Sequence, residues 1–448
     1  MKVACVTLGC RTNQHDTAEM QTLLEQEGFS IVNGKDKADA YVINTCTVTQ
    51  RSDYSSRLAV KKSLAINPDA LVVFTGCYAQ LNPKEASKLN GLDIVLGNAD
   101  KLEIANLIKM KLLNPRQSWV KNAGTEIIMS DIHKKRIFRT IPVNNFQGMT
   151  KAFIKIQTGC DEKCSFCTVV KARGKSVSDT RENIIHNIQQ AIASGFKEIT
   201  LTGINLGTWG MDRNETFSSL VRDIVEIPGN FRVRLSSINP MEIDKDLIRL
   251  IAETEKLCSH LHIPLQSGDD RTLKSMRRNY NRNQYLEVTQ RAIDIIPRLG
   301  LGADVIVGFP GETEDEFLET LSVIDKVKFN FAYMFKYSSR PGTKASQYDE
   351  QIEEDVKQDR LERLIDFQLS NTLTQNRSLI GKIVKVLVEK VSKKSKDQWS
   401  GRTEGGMWVI FDRNNENIGE VINIRIDDAR GVTLFGSRVY QEYNYEVA

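Results

Sequence analysis

The 448-residue sequence predicts an α/β protein of three domains: an N-terminal parallel α/β domain, a central partial (β/α)6 barrel and a small C-terminal antiparallel β-barrel. Three observations predict this order. Strand-like and helix-like segments alternate up to about residue 111, a second alternating series with six strand candidates begins at residue 151, and five short strands separated by turn residues follow Gly381. At roughly 150 residues per domain, the length also favours about three domains.

The first domain is predicted over residues 1–113. Its strand candidates, separated by helical spacing, are the short β-branched runs KVACVTLG, ADAYVINT, ALVVFTG and LDIVLGN. Such alternation is typical of βαβ units around a parallel sheet, whose strands all end at one edge. Because Cys10, Cys46 and Cys77 each follow one of these strands, we expect their thiols to lie close together.

Residues 114–145 are predicted to be a linker, and residues 146–375 the central domain. Its strand candidates are KAFIKIQT, EITLTGIN, FRVRLSS, HLHIPLQ, GADVIVGFP and FAYMFKYS. Six strands with helices between them favour a partial β/α barrel over a flat doubly wound sheet. The segment FKYSSRPGTKA, from Phe335 to Ala345, either positions RNA or turns the chain, and Pro341 and Gly342 favour the turn.

The C-terminal domain is predicted over residues 378–443, with the strand candidates KIVKVLVEKV, DQWSGRT, MWVIFD, IGEVINIRI and GVTLFGSRV. Small barrels of this kind bind single-stranded nucleic acid. The candidate RNA contacts are Lys390, Lys393, Arg402 and Trp399, because cations neutralise phosphates and aromatic faces stack on unpaired bases. Acidic residues nearby leave a solvated charged surface as the alternative.

Composition limits the classes of function. The 61 Lys and Arg against 57 Asp and Glu give a net charge of +4, so nucleic-acid contact must come from local basic patches. No apolar run approaches the roughly 20 residues that cross a bilayer, which favours a cytoplasmic protein without a membrane partner.

The motif GCDEKCSFC carries the strongest chemical signal. Its cysteines, Cys160, Cys164 and Cys167, have the spacing C-x3-C-x2-C. Three thiolates in one loop can bind three irons of a [4Fe–4S] cluster and leave the fourth iron open. The alternatives are a structural thiol cluster or a zinc site, but zinc normally takes four protein ligands, and the spare candidates His186 and Cys258 lie outside this loop.

A C-x3-C-x2-C loop after the first strand of a β/α barrel resembles the radical S-adenosylmethionine (SAM) enzymes. With TLGCRTNQHDTAE, NTCTVT, TGCYAQ and the small C-terminal barrel, nearly the whole chain resembles the radical methylthiotransferases. Their architecture is an N-terminal methylthiotransferase domain, a radical SAM core and an OB-like TRAM domain. NTCTVT and GCYAQ are most similar to the MtaB branch, which modifies N6-threonylcarbamoyladenosine in tRNA.

The resemblance implies two [4Fe–4S] clusters: an auxiliary cluster on Cys10, Cys46 and Cys77, and a SAM-binding cluster on Cys160, Cys164 and Cys167. SAM would serve as radical source and methyl donor for transfer of a methylthio group to C2 of the modified adenosine at position 37. The implied partners are the tRNA anticodon stem-loop, an electron donor such as a flavodoxin or ferredoxin, and a sulfur source. Alternatives are the same chemistry on isopentenyladenosine or a ribosomal protein, and a non-catalytic iron–sulfur RNA-binding protein.

Polar residues at the ends of the central strands are the candidate SAM contacts, since ligands bind at that end of β/α barrels. They are Gly203, Asn205, Ser237, Asn239 and Gln266.

Three further strand-end residues, Gly268, Pro310 and Gly311, are better explained as turn residues. Arg173 is a candidate for binding the SAM carboxylate or an RNA phosphate, with a surface salt bridge as the alternative.

Overall fold

The computed structural model describes residues 1–113, 120–121, 124–134, 138–143 and 149–440. Across these ranges the predicted fold class is confirmed: a parallel α/β sheet, a partial β/α barrel and a closed five-stranded barrel follow one another along the chain. None of the helices in this described part is long and apolar enough to span a membrane. The exact domain boundaries stay predictions.

The N-terminal sheet has six parallel strands in the order β2-β1-β3-β4-β5-β6. The strands are β1 (Lys2–Thr7), β2 (Ser30–Val32), β3 (Ala40–Thr45), β4 (Leu71–Gly76), β5 (Ile94–Leu96) and β6 (Glu126–Ile128). The helices are α1 (Arg11–Gln26), α2 (Gln50–Ile66), α3 (Cys77–Leu81), α4 (Pro83–Ala86) and α5 (Ile104–Leu113). β3 and β4 are buried along their whole length, because helices cover both faces of the sheet.

The range expected to be a linker contributes a strand. β6 lies within residues 114–145 and pairs in parallel with β5, so this part of the range belongs to the sheet. Both β6 and β2, which was also not predicted, are three residues long, too short to show an alternating pattern.

Six parallel strands form the wall of the central domain. The sheets β11-β10-β7 and β12-β13-β14 are joined by bridges from Val233 to Leu257 and from Ser237 to His262. The six wall strands are β7 (Ala152–Lys155), β10 (Glu198–Thr202), β11 (Arg232–Leu235), β12 (His260–His262), β13 (Gly300–Val307) and β14 (Phe331–Lys336). Two further short strands are β8 (Gln157–Thr158) and β9 (Val177–Ser178). The helices are α6 (Val169–Arg173), α7 (Arg181–Ala193), α8 (Phe217–Glu226), α9 (Lys245–Glu253), α10 (Asp270–Ser275), α11 (Arg282–Ile295), α12 (Glu314–Val327) and α13 (Glu354–Arg377).

The first predicted strand of this wall is divided in two. After β7 the chain forms β8, which pairs antiparallel with β9 and not with the wall. This short ribbon holds the two ends of the segment that contains the C-x3-C-x2-C loop. The strands β7 and β14 are the edges of the wall, which leaves the barrel partial.

The N-terminal domain covers the β7 edge of the wall. Its helix α1 packs on β7, where the His15 ring nitrogen Nδ1 is 2.6 Å from the carbonyl oxygen of Phe153. Ala18 of the same helix is part of the hydrophobic core of the central domain. The two domains therefore share a packed interface.

The C-terminal domain is a closed barrel with the strand order β15-β16-β17-β19-β18. The strands are β15 (Ile383–Val391), β16 (Gln398–Thr403), β17 (Trp408–Asp412), β18 (Val421–Arg430) and β19 (Thr433–Arg438). The prediction of a wholly antiparallel barrel is wrong for one pair, because β17 and β19 run parallel. Closure requires this pair, since β18 already pairs with β15 and β19.

The C-terminal barrel is attached to the start of the central strands through a buried carboxylate. Glu198, at the first residue of β10, accepts hydrogen bonds from Arg232 and Arg234. Arg234 also donates to the carbonyl oxygens of Thr403 and Glu404 at 3.0 and 2.8 Å. This chain of contacts holds the β16–β17 turn against the end of the wall opposite the cysteine loop.

Glu198→Gln should lower the free energy of unfolding by about 3–5 kcal/mol, because two buried arginines would lose their counter-charge. Urea unfolding at pH 7 measures the change. Asp223→Asn, which breaks a partly exposed ion pair with Arg181, is the control and should cost less than about 1 kcal/mol. Equal losses in the two variants would contradict the importance given to Glu198.

Candidate active site

Three cysteines meet at the carboxyl edge of the N-terminal sheet. Cys10, Cys46 and Cys77, the first triad, follow the adjacent strands β1, β3 and β4. Burial raises the pKa of Cys46 to about 11, and the nearby sulfurs of Cys10 and Cys77 add to the increase. A Cβ atom at Gly9, which has a φ of +94°, would lie 2.6 Å from the Cys46 sulfur, so only glycine lets this turn approach so closely.

The second triad, Cys160, Cys164 and Cys167, lies in the loop between β8 and α6. Burial raises the pKa of Cys160 to about 12, with further contributions from the other two sulfurs of the loop. The Cys167 sulfur accepts the backbone N–H of Val169 at 3.4 Å, and the Cys164 sulfur accepts Nη1 of Arg278 at 3.2 Å. The sequence analysis did not identify Arg278, which lies far from the cysteines in the chain.

The two triads face each other across the contact between α3 and α6. Burial is the main cause that raises the pKa of Cys167 to about 11, and Cys77 of the first triad is close enough to contribute. Asn98 bridges the domains here, with Nδ2 donating to the Ala172 carbonyl oxygen at 2.7 Å and lying 4.0 Å from the Cys77 sulfur.

The donor sets fit iron–sulfur clusters. In a [4Fe–4S] cluster each thiolate binds a different iron, and hydrogen bonds to the sulfurs are part of the site. Both triads supply thiols only, and the second receives N–H donors on two of its sulfurs. Over the described ranges, no three His, Cys, Asp or Glu side chains are grouped as a site for one metal ion.

A buried charge network joins the two domains beside the triads. Asp16 of α1 contacts Lys101, Lys155 and Arg173 at 2.8, 2.9 and 3.0 Å. Burial alone would raise the pKa of Asp16, but these three cations hold it well below its usual range. Glu19, one turn later, contacts Lys155 at 2.6 Å.

Arg173 is part of this buried network. It is buried, so the alternative of a surface salt bridge is wrong. Its Nη2 donates to Asn13 at 2.5 Å and to Asp16 in the domain interface, and its contact with a SAM carboxylate or an RNA phosphate stays a prediction. Asn13, missed from the sequence, donates in turn to the carbonyl oxygens of Leu8 and Thr45, just before Cys10 and Cys46.

The segment FKYSSRPGTKA contacts the loops of both triads. Arg340 forms a buried ion pair with Asp53 and donates to the carbonyl oxygen of Thr47, next to Cys46, at 2.9 Å. The backbone N–H of Ala345 donates to the carbonyl oxygen of Ser165, within the second loop, at 2.9 Å. The segment therefore ties the two cysteine loops together, a role that neither sequence interpretation included.

Several predicted SAM contacts line the carboxyl ends of the central strands. Asn205 and Asn239 both donate to Oε1 of Glu242, at 2.7 and 3.2 Å, and burial raises the pKa of Glu242. Asn239 also accepts a hydrogen bond from Arg278 at 2.7 Å, which connects this group to the second triad. Glu242 follows Asn239 by three residues, a spacing that could have indicated it.

Gly203, Ser237 and Gln266 also follow central strands, and we call these three residues together with Asn205 and Asn239 the rim. Gln157 accepts the N–H groups of Ile204 and Asn205 at 2.9 and 3.0 Å, which positions the backbone after Gly203. Ser237 lies beside His262 through a bridge, and Gln266 has a φ of +65° and bridges to β13. The role of these residues in binding SAM stays a prediction.

The interior of the partial barrel is polar and aromatic. The His262 ring nitrogen Nε2 is 3.0 Å from Oδ2 of Asp304, and the ring also packs against Phe331 and Tyr333. Tyr333 is 48% exposed. Arg11, which directly follows Cys10, reaches across to Ser236 at the end of β11, with Nη1 3.2 Å from the hydroxyl oxygen. We call the region around Arg11, Ser236, His262, Asp304 and Tyr333 the chamber. Arg11 was not predicted from the sequence.

The predicted RNA contacts divide into two groups. Arg402 and Lys390 stack over the ring of Trp408, at 4.1 and 4.7 Å from its centroid, and Lys393 is exposed. Trp399, in contrast, is buried in the barrel core, and its indole N–H donates to Glu416 at 3.2 Å. The assignment of Trp399 as a base-stacking residue is therefore wrong, because the alternation of β16 turns this ring inward. We call Lys390, Lys393, Arg402 and the half-buried Trp408 the basic patch.

Three family models match the chain: the Radical SAM superfamily over residues 154–324, the uncharacterized protein family UPF0004 over residues 2–97, and the TRAM domain over residues 377–439. Among solved structures, the radical SAM methyltransferase TsrM from Kitasatospora setae matches with a TM-score of 0.53 at 14% identity, over 74% of this chain and 72% of that one. At this identity the match concerns the fold alone. The family models and the C-x3-C-x2-C loop define a radical SAM enzyme.

Curated relatives specify which kind of radical SAM enzyme this chain is. The chain is 39% identical over 362 residues to the threonylcarbamoyladenosine tRNA methylthiotransferase MtaB of Aquifex aeolicus (strain VF5), covering 81% of this chain and 86% of the relative. It is 37% identical over 443 residues to the tRNA-2-methylthio-N(6)-dimethylallyladenosine synthase of Fusobacterium nucleatum subsp. nucleatum, covering 98% and 100%. The chain belongs to the radical SAM tRNA methylthiotransferases, a family that uses SAM and two [4Fe–4S] clusters.

The buried carboxylates of α1 predict an acid-sensitive interface. The pKa of Glu19 is lowered to about 2: burial opposes this shift, and Lys155 and His15 produce it. Its contribution to stability is therefore complete above the unfolded pKa of about 4.3 and is lost as the pH falls towards 2. Glu19→Gln should cost on the order of 3 kcal/mol at pH 7, and the difference from the parent protein should shrink below about pH 4.

Urea unfolding of the metal-free protein at pH 7 and pH 3 measures this difference. Glu27→Gln, at an exposed pair with Lys109, is the control and should show a small, nearly constant effect. A Glu19→Gln difference that stays the same at both pH values would show that charge is not the cause.

Proposed function

We propose that this enzyme transfers a methylthio group to C2 of N6-threonylcarbamoyladenosine at position 37 of tRNA. The observation that carries the chemistry is the pair of cysteine triads facing each other across the interface of the first two domains. Relatives named for threonylcarbamoyladenosine and for dimethylallyladenosine have similar identities, 39% and 37%, so the choice of substrate rests on other features. The motifs NTCTVT and GCYAQ support the MtaB-type substrate.

In this proposal Cys10, Cys46 and Cys77 hold the auxiliary cluster. Cys160, Cys164 and Cys167 hold the SAM-binding cluster. When bound, the clusters and SAM supply the radical and the transferable methylthio group. The chain's own residues shape the site. Arg278 donates to the Cys164 sulfur and to Asn239, so one side chain orients both the cysteine loop and the rim.

The rim residues Gly203, Asn205, Ser237, Asn239 and Gln266 are the proposed SAM contacts. Glu242 fixes the two asparagine amides, and Gln157 fixes the backbone between Gly203 and Asn205. A pre-positioned rim reduces the ordering that SAM binding would otherwise require.

The proposed RNA surface is the patch of Lys390, Lys393, Arg402 and Trp408. Two cations lie against the indole ring of Trp408, and such a group can contact phosphate and base together. We further propose a cytoplasmic location, and as partners a reduced flavodoxin or ferredoxin and a source of sulfur. The non-catalytic alternative is not retained, because the chain belongs to an enzyme family.

The substrate test uses anaerobically reconstituted enzyme, reductant, SAM and two anticodon stem-loops, one with N6-threonylcarbamoyladenosine and one with isopentenyladenosine. We expect iron for two four-iron clusters, 5′-deoxyadenosine, and a methylthio nucleoside from the first RNA, all measured by mass spectrometry and iron analysis. Modification of the isopentenyladenosine RNA alone would overturn the proposed substrate.

Cysteine variants test the cluster assignment. Cys10→Ala should lose the auxiliary cluster and methylthiolation but retain cleavage of SAM, whereas Cys160→Ala should lose SAM cleavage as well, because each triad would keep only two thiolates. Cys5→Ala and Cys258→Ala are the controls and should retain both clusters. Full methylthiolation by Cys10→Ala, or iron loss in either control, would contradict the assignment.

A further inference from the structure

Arg11 joins the first cysteine triad to the chamber. It is the residue immediately after Cys10 and the first residue of α1. Its side chain leaves the N-terminal domain and reaches the end of β11, where Nη1 donates to the Ser236 hydroxyl at 3.2 Å. This bond uses one nitrogen of the guanidinium, and Nε and Nη2 are left for another partner.

The charges around Arg11 are mostly of the same sign. Arg234 and Arg402 are close enough to repel it, and Glu198 is the acidic group that attracts it. The Glu198 oxygens are bonded to Arg232 and Arg234, and Lys151 lies 3.5 Å away. Within the described residues, no carboxylate lies within ion-pair distance of Arg11.

Two further acidic groups of this region contact basic side chains. Asp304 contacts His262 at 3.0 Å, and Glu389 contacts Lys151 at 2.7 Å. The chamber therefore contains an arginine that has no carboxylate partner at ion-pair distance among the described residues. A cation in a partly desolvated site is costly unless an anion joins it, so this site favours an anionic ligand.

The geometry of adenine connects this site to the substrate. C2 and the carbon that carries N6 flank N1 on the same edge of the ring. A base that presents C2 to the triad of Cys10 must therefore present its N6 substituent to nearby residues, and Arg11 is the next residue in the chain. Tyr333 is close enough to Arg11 to interact with it electrostatically, and its exposed ring offers a surface for the base.

The two candidate substituents differ in charge. The threonylcarbamoyl group ends in a carboxylate, whereas the isopentenyl group is neutral and apolar. We propose that Arg11 binds the threonyl carboxylate and is a specificity-determining residue, an inference that rests on the proposed function. The planar guanidinium matches a carboxylate with two parallel hydrogen bonds, and an isopentenyl group would leave it unpaired.

An RNA phosphate is the other possible source of the anion, and the experiment separates the two. The reconstituted holoenzyme is titrated into each of three fluorescent anticodon stem-loops. One carries the free threonyl carboxylate, one its neutral methyl ester, and one isopentenyladenosine. Fluorescence anisotropy gives the Kd for each RNA, and iron content and 5′-deoxyadenosine formation show that the clusters are intact.

The parent enzyme should bind the carboxylate RNA at least about tenfold more tightly than the ester RNA, the range expected for a charged hydrogen-bonded pair. Arg11→Gln should lose this difference by weakening only the carboxylate RNA. Arg11→Lys should restore part of the difference, since it keeps the charge without the planar fork. Arg222→Gln, an exposed arginine of α8, is the control and should bind like the parent.

Two negative results have different meanings. If Arg11→Gln weakens the carboxylate and ester RNAs equally, the anion is a phosphate or the role is structural, and the inference about Arg11 is overturned while the proposed substrate stands. If the parent enzyme modifies only the isopentenyladenosine RNA, the proposed function itself fails, and this is seen without any variant.

Discussion

The buried carboxylate of Asp16 is the interaction on which the two-domain site depends. It lies on α1 of the N-terminal domain and contacts Lys101 of the same domain and Lys155 and Arg173 of the central domain. The three cations compensate the desolvation of the carboxylate, and two of them come from the central domain, so the network is complete only when the domains are docked. Through Arg173 and Asn13 the network reaches the turns before Cys10 and Cys46. The docking that buries Asp16 is thus the docking that makes the triads face each other.

A second link on the far side of the triads completes this arrangement. Arg340 extends from the segment after β14 to the loop of Cys46, and Ala345 of the same segment bonds to the loop of Cys164 and Cys167. The two cysteine loops are therefore held from both sides by contacts that cross the domain interface. Chemistry that uses two clusters together requires such a fixed separation, since reacting groups must meet in one dry space.

The sequence predicts well what local patterns encode. The six central strands, the five barrel strands and the position of each cysteine after a strand follow from runs of β-branched residues and turn residues. It fails where tertiary contacts decide. Arg173 was expected to contact a ligand or to form a surface salt bridge, and Arg340 lies in a segment expected to turn the chain or to position RNA, but both are buried between domains. Trp399 and Trp408 are indistinguishable until the register of β16 and β17 is known. Arg11 and Arg278 were missed because their partners, Ser236 and Cys164, lie more than one hundred residues away.

The attachment of the C-terminal barrel limits which nucleotide of a bound RNA can reach the chamber. Arg234 binds the carbonyl oxygens of the β16–β17 turn and also the carboxylate of Glu198 inside the wall, so the barrel cannot swing freely. The basic patch and the chamber are then held in a fixed position relative to each other. For any RNA that touches both, the nucleotide in the chamber is determined by its distance along the strand from the nucleotide on the patch. In that case the nucleotide to be modified is selected by its distance along the RNA strand, before any base is recognised.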